Sequence, residues 1–187
     1  MGFALTLATA IPIGLIMGLN RTVRSILDPV IEITRPMPKL ALIPLFIIWF
    51  GIGELPKVLM IVSVTFPILS ISAMQGVHNV GIRKLQAARA LGANEWQVFY
   101  RVIFPGALPD VFTGIRVAVG IAVVVLVGSE MIATSQGIAW MTLDASNYLL
   151  TNVTMVGIGV MALFGYSLDL LVRALEKRFV HWRGKEG

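Results

Sequence analysis

Few residues in this chain could perform covalent chemistry. The 187 residues include no cysteine, which removes a thiol nucleophile, a thiolate metal site and a disulfide. The two histidines, His78 and His181, lie far apart and have no carboxylate or second histidine at ligand spacing. No Ser/His/Asp set or pair of carboxylates stands at a spacing that suits catalysis. We therefore expect no catalytic site and no metal site.

Nucleotides and nucleic acids are also excluded by the pattern of residues. The phosphate-binding pattern G-x4-G-K-[ST] does not occur, and the Gly184-Lys185 pair lies in a charged tail with no preceding strand. The net charge is +5, but the basic residues do not form one stripe with interleaved aromatic residues. We expect no bound cofactor, no ATP binding by this chain itself and no nucleic-acid partner.

Three ionisable residues within apolar surroundings remain as candidates. Burying a charge in lipid is costly, so such residues are usually functional or paired. Glu130 lacks a local partner, and we predict that it forms a gate or a subunit contact; a wetted interfacial position is the alternative. Asp169 has an ordinary explanation, because Arg173 follows it by four residues. Arg116 could attract an anion or hold phospholipid headgroups, and the second interpretation is favoured.

Residues 77–110 have the most informative local pattern. The segment is too long for a simple connection, and we predict two short helices that meet at Gly92, a residue typical of a helix C-terminus. Asn94 is the expected N-cap of the second helix, with Gln97 at the capping-box position. Prolines should end this second helix, at Pro105 and Pro109.

The predicted hairpin has a small, apolar top, formed by Ala87, Ala88, Ala90, Leu91 and Ala93. A partner protein could approach such a surface closely. Packing of the same surface against the chain's own helices is an equal alternative at this stage.

The elements that must position these residues are long and apolar. Mean hydropathy is +0.85, and 57% of residues are hydrophobic while 13% are charged, which is outside the range of a soluble domain. A soluble core of this size could not hide several apolar stretches of about 20 residues. We predict an all-α integral membrane protein, with one domain over 1–187 and five spans at about 3–19, 39–53, 56–76, 111–133 and 152–173.

Basic residues predict the orientation of the spans, because cytoplasmic loops retain Lys and Arg. All 15 lysines and arginines except Lys57 fall between spans one and two, between three and four, at the start of span four or after span five. Residues 77–110 and the C-terminus are therefore predicted to be cytoplasmic. Residues 1–20 lack the basic start of a signal peptide. We expect that the first helix of a six-span protein is missing; a complete five-span chain is the alternative.

The hairpin is similar to the EAA signature of ABC-importer permeases, EAA-x3-G-x9-I-x-L-P. The similarity lies in Gln86-Ala-Ala88, Gly92 after three residues and Val102-Ile-Phe-Pro105 after nine more. Gln86, Val102 and Phe104 depart mildly from the signature. Segments 27–54, 130–141 and 173–182 resemble the nitrate/sulfonate/taurine branch of these permeases, and the taurine and aliphatic sulfonate permeases most of all.

This resemblance implies the type I ABC importer permease fold and a transport role in the bacterial inner membrane. In that family the loop docks as a coupling helix on an ATPase subunit, two permease copies form the pathway, and an external binding protein delivers the substrate. The expected cargo is taurine or another aliphatic sulfonate, while nitrate, cyanate and bicarbonate stay open. The implied coupling residues are Gln86, Ala87, Ala88, Gly92, Val102, Phe104 and Pro105.

Two other classes of protein remain as alternatives. A carrier or channel that works without an ATPase would need intramembrane charges or an inverted repeat, and the five segments show no convincing repeat. A membrane-embedded enzyme would need clustered His, Asp, Glu or Ser residues on facing helices. Transport that persists without any nucleotide-binding partner would favour the carrier or channel.

Overall fold

The computed structural model describes residues 1–180; His181, Gly184 and Lys185 therefore lie outside the described residues. The described part consists of α-helices joined by short connections. A 3-10 turn (Lys39–Leu42) precedes the third helix, and a π-helical turn (Phe99–Ile103) joins the sixth to the seventh. The helices are α1 (Gly2–Leu19), α2 (Arg21–Thr34), α3 (Ile43–Phe50), α4 (Glu54–Asn79), α5 (Ile82–Ala90), α6 (Glu95–Val98), α7 (Phe104–Ala133), α8 (Ile138–Asn147) and α9 (Thr151–Phe179).

Four helical stretches of the described residues are long and apolar enough to cross a membrane. They are Gly2–Leu19, Glu54–Asn79, Glu95–Ile132 and Thr151–Phe179. A fifth crossing is possible if α2 and the segment Lys39–Phe50, which are bent by 83° relative to one another, act together as one broken span. The number and limits of the membrane crossings stay predictions, as does a missing first helix.

Helices α1 and α4 run parallel and touch along their backbones. Gly2 lies against Val58, and Gly18 at the other end of α1 lies against Val77. Between them, a Cβ atom on Gly14 would run into the carbonyl oxygen of Ser70. Such close backbone contact requires glycine, and small residues permit it in membrane helices generally.

Helix α7 runs antiparallel to α4, and α9 runs antiparallel to α7. Gly76 of α4 lies against Ala107 near the start of α7. The Phe112 ring of α7 stacks with the Phe179 ring near the end of α9, with 6.2 Å between centroids. We call this the hairpin end of the bundle, because α1, α4 and α9 finish there and α5 and α6 lie beyond it.

Because α1 and α4 are parallel, residues 20–53 must run back along the bundle, from the end of α1 to the start of α4. Leu40 lies against Gly128, five residues before the end of α7, and Ile43 packs with Met60 and Val64 near the start of α4. Lys39 and Ile43 are thus close to the opposite end from Gly18. The prediction that Lys39 shares the side of Arg21 is therefore wrong in geometry, because α2 occupies much of the return.

Helix α2 was not predicted from the sequence, because its composition is mixed. It contains Pro29 and several charged residues, so it lacks the continuous apolar stretch that identifies a span. Asn20 nevertheless caps it, accepting the backbone N–H of Thr22 at 2.9 Å. One face, including the buried Ile31, packs with Met17 and Met74. Helix α8 was not predicted either.

The expectation that prolines would end the second hairpin helix is also wrong. The helix passes from α6 through the π-helical turn into α7, and Pro105 occupies the first turn of α7, where no N–H partner is needed. The Phe104 N–H donates to the Phe99 carbonyl, five residues back instead of four. The pattern of backbone hydrogen bonds has therefore already changed before Pro105. Pro109 lies inside α7, and the Thr113 hydroxyl donates to its carbonyl at 2.9 Å.

A cavity of about 510 Å³ separates α9 from α1 and α4. Its lining is apolar and includes Phe3 and Leu7 of α1, Ile115 of α7 and Leu168 of α9. Helices α8 and α9 are therefore held to the remainder of the bundle mainly through α7.

We expect Gly14→Val to destabilise the bundle by about 2 kcal/mol or more, because the new side chain overlaps the backbone of α4. Gly120→Val is the matched control, since no atom lies within 4 Å of a Cβ at that position. The fraction of protein that stays monodisperse after heating in detergent would measure the effect. Equal losses in both variants would contradict the proposed backbone contact.

Candidate functional site

The turn of the hairpin is built around Gly92. Gly92 has a φ of +81°, a left-handed conformation that strongly favours glycine. Its N–H donates to the Arg89 carbonyl at 2.9 Å, and the Ala93 N–H donates to the Ala88 carbonyl at 3.1 Å. These two bonds form a Schellman motif, which satisfies carbonyl groups left open at the end of α5. The predicted helix end at Gly92 thus has a direct structural cause.

The second arm begins with a complete capping box. The Gln97 N–H donates to the Asn94 side-chain oxygen at 2.8 Å, and the Asn94 N–H donates to the Gln97 side-chain oxygen at 2.9 Å. This cap follows directly on the preceding motif, whose last residue is Ala93. The Arg89 guanidinium also donates to the Glu95 carboxylate at 3.2 Å across the turn. The loop therefore has little freedom at its tip.

One side of the hairpin is anchored in the core at the hairpin end. Val98 is 1% exposed and belongs to a cluster with Leu15 of α1, Val77 of α4 and Val111 of α7. Ala88 and Ala93 pack against the same cluster. Of the two alternatives left open for the small apolar surface, packing against the chain's own helices holds for these two residues, which anchor the loop.

The other side of the hairpin is free in this chain. Leu91 at the tip is 88% exposed, Trp96 is 70% exposed and Ile82 is 69% exposed. The Trp96 and Tyr100 rings stack with 5.7 Å between centroids, which gives the surface a rigid aromatic edge. Such exposed aromatic and aliphatic groups are typical of a surface that contacts another protein. The sequence pattern indicated Leu91 but not the aromatic edge.

The residues of the EAA-like signature divide between these two sides. Gln86, Ala87 and Gly92 are exposed, and Phe104 is 37% exposed. Val102 and Pro105 are half-buried where the π-helical turn enters α7. The signature therefore combines an exposed part of the hairpin with the residues that join the hairpin to α7. The role of these residues in coupling stays a prediction.

Glu130 lies at the other end of α7, away from the hairpin. Its carboxylate accepts the backbone N–H of Ala139 in the first turn of α8, at 3.4 Å. It also lies so close to Gly137 that a Cβ there would come within 2.8 Å of the carboxylate. The expectation that Glu130 has no local partner is wrong, because the turn 134–137 folds α8 back onto it. Its role as a gate or subunit contact stays a prediction.

Arg116 and Asp169 come together across the interface of α7 and α9. The Arg116 Nε donates to Asp169 at 3.2 Å. The Arg173 Nε donates to the other oxygen of the same carboxylate at 2.7 Å, which confirms the contact expected from their spacing. No local pattern could have paired Arg116 with a residue 53 positions away.

The fold is similar to solved permease structures. An inward-facing structure of the MetNI methionine ABC transporter matches with a TM-score of 0.68 and 17% identity, over 92% of this chain and 88% of that chain. An amino acid ABC transporter matches with a TM-score of 0.56 and 20% identity, over 97% and 90%. The all-α fold of a type I ABC importer permease, predicted from the sequence, is confirmed.

Comparison of sequences identifies the family. Residues 10–181 match the binding-protein-dependent transport system inner membrane components, and the chain belongs to that family. It is 45% identical to the taurine transport system permease protein TauC of Escherichia coli (strain K12), over 94% of this chain and 64% of that protein. It is 36% identical to the putative aliphatic sulfonates transport permease protein SsuC of Bacillus subtilis (strain 168), over 98% and 66%. The chain thus spans just under two thirds of the length of each.

We expect Glu130→Ala to loosen the start of α8, because the Ala139 N–H loses its acceptor. Loss of one such bond should raise the exchange rate of that amide by about fivefold. Glu130→Gln retains an acceptor oxygen and should leave exchange nearly unchanged. Hydrogen–deuterium exchange of a peptide containing Ala139 provides the measurement, and identical exchange in all three proteins would contradict the contact.

Proposed function

We propose that this chain is the transmembrane permease subunit of an ATP-driven importer for a small organic anion. The observation that carries the proposal is the hairpin, which is rigid at its turn, anchored on one side and apolar on the other. Membership of the inner membrane component family supports the same role. The chain would supply the translocation pathway and no catalytic site of its own.

An ABC ATPase subunit is the proposed partner of the hairpin. Leu91 and the stacked Trp96 and Tyr100 rings would enter a groove on that subunit, and ATP would be bound and hydrolysed there. Motion of the partner could reach the membrane directly, because the helix from Glu95 to Ile132 is continuous. A second permease copy, an extracytoplasmic binding protein and membrane lipid complete the proposed assembly.

The hairpin end of the bundle is the proposed cytoplasmic side. Arg83, Lys84, Arg89 and Arg101 belong to the hairpin, and Lys177 and Arg178 lie in the last turn of α9 at the same end. Cytoplasmic segments of membrane proteins retain such residues. The C-terminus of the chain would then be cytoplasmic as well.

Taurine or another aliphatic sulfonate is the proposed cargo. The support is the similarity to two permeases whose names state taurine and aliphatic sulfonate transport. The test is ATP-dependent uptake of labelled taurine into vesicles that contain this permease, its ATPase and its binding protein. Competition by ethanesulfonate alone would support a sulfonate importer. Competition by nitrate or bicarbonate would move the cargo to an inorganic anion within the same class.

Gly92→Asp should reduce uptake at least tenfold, because a side chain in the left-handed conformation strains the turn and adds charge to an apolar docking surface. Gly81→Asp is a matched control in the same loop, since Gly81 has an ordinary φ of −57° and open space around it. It should retain at least half of the uptake.

Binding of the ATPase measures the cause of this effect. Gly92→Asp should fail to retain the ATPase subunit during purification, while the permease itself stays folded and membrane-inserted. Normal uptake and normal ATPase retention in Gly92→Asp would refute the docking role of the hairpin. Uptake of taurine in vesicles lacking any ATPase would instead favour an independent carrier or channel.

A further inference from the structure

Arg116, Asp169 and Arg173 form a charged cluster on one side of the contact between α7 and α9. One carboxylate is shared by two guanidinium groups, so the cluster keeps a net charge of +1. The side chains are only partly covered, with exposed fractions of 37% for Arg116, 29% for Asp169 and 52% for Arg173. A hollow of about 340 Å³ opens beside them, lined by Thr113, Arg116, Val117 and Asp169.

The cluster lies inside the bundle's length, away from its aqueous end. Arg116 lies 12 residues after the start of α7 at Phe104, which is about 18 Å along a helix, and Asp169 precedes the end of α9 at Phe179 by ten residues, or about 15 Å. Charges at this depth must face water or protein, because contact with hydrocarbon is too costly.

The two arginines retain unused donors. Among the described residues, the bonds of both guanidinium groups to Asp169 use only Nε. Each guanidinium has five N–H donors in a planar fork, and such forks bind oxyanions through two parallel bonds. Asp169 therefore holds the two groups in place, while the excess positive charge and the terminal amino groups remain for a ligand.

We propose that the Arg116–Asp169–Arg173 cluster is an oxyanion-binding site, at which the sulfonate group of the transported molecule contacts the permease. This proposal rests on the proposed import of sulfonates. The carboxylate positions the guanidinium groups and keeps their net charge low, so the anion is attracted without being held too tightly to leave. Arg116, which lines the hollow, binds the sulfonate oxygens, Arg173 adds positive charge beside it, and Asp169 is a positioning residue.

A phospholipid phosphate offers similar oxygens and is the other source of such a ligand. The predicted span 111–133 places Arg116 five residues inside the apolar segment, or about 8 Å along the helix, and this position favours the transported anion over a headgroup. Both phosphatidylcholine and phosphatidylglycerol carry a phosphate, but only phosphatidylglycerol has a net negative charge. Vesicles made with phosphatidylcholine alone, or with added phosphatidylglycerol, therefore separate the transported anion from an anionic lipid headgroup. Dependence on Arg116 should be the same in both.

The first test is uptake of taurine by the complete transporter in both kinds of vesicle, with saturating loaded binding protein. Arg116→Gln should reduce uptake at least tenfold while ATP hydrolysis stimulated by the binding protein changes less than twofold. Arg178→Gln, which removes an exposed positive charge of α9 outside the cluster, should retain normal uptake. A wild-type transporter that shows no ATP-dependent uptake would instead refute the proposed function.

The second test measures occupancy of the site without relying on transport. Because the chain has no cysteine, Val117→Cys places a single thiol beside the hollow, and Val124→Cys places one further along the same exposed face. Millimolar taurine should slow maleimide labelling of Cys at 117 in the assembled transporter and leave labelling at 124 unchanged. Arg116→Gln should raise the taurine concentration needed for half protection at least tenfold.

Asp169→Asn distinguishes an anion site from a purely structural ion pair. This change raises the net charge of the cluster from +1 to +2, while the Asn side-chain oxygen can still accept one guanidinium N–H. The taurine concentration for half protection should therefore rise much less than in Arg116→Gln. Loss of protection to the same degree in Asp169→Asn and Arg116→Gln would mean that the cluster only joins the helices. That result, normal uptake in Arg116→Gln, or an effect confined to vesicles with phosphatidylglycerol would each overturn the proposal.

Discussion

The architecture depends on the direct backbone contact between two parallel helices, α1 and α4. Gly14 against Ser70 and Gly18 against Val77 bring these helices closer than any side chain would allow. Since neighbours in sequence normally alternate in direction, a parallel pair obliges the intervening chain to cross back. The charged helix α2, the short α3 and the 83° bend between α2 and Lys39–Phe50 form this return path. A position for Lys39 far from Arg21 follows from the same contact.

The hairpin illustrates a different kind of constraint, because local hydrogen bonds make its exposed turn rigid. Its turn is closed by backbone bonds around Gly92 and by the reciprocal bonds of Asn94 and Gln97. The exposed groups at its tip gain nothing from the chain's own core. A partner that binds them meets a surface already in its final shape, so little conformational entropy is lost on docking.

Prediction from sequence succeeded where the determining interactions are local. Gly92, Asn94 and Gln97 lie within six positions, and their spacing alone predicted the helix end and the cap. It failed where distant parts of the chain decide the outcome. The pairing of Arg116 with Asp169 depends on how α9 packs on α7, and the return path of α2 depends on α1 and α4. The prediction that prolines end the helix failed, because a π-helical turn at 99–103 changes the backbone hydrogen-bond pattern before Pro105.

The continuous helix from Glu95 to Ile132 has a mechanical consequence. Its 38 residues form a rod about 57 Å long. A rigid rod converts rotation into displacement in proportion to its length, so a tilt of about 5° at the tip moves the far end by about 5 Å, close to one helical turn. Glu130 and the start of α8 lie at that far end. The displacement caused by any tilt applied at the hairpin would therefore be largest at Glu130 and the start of α8, because the helix between them is continuous.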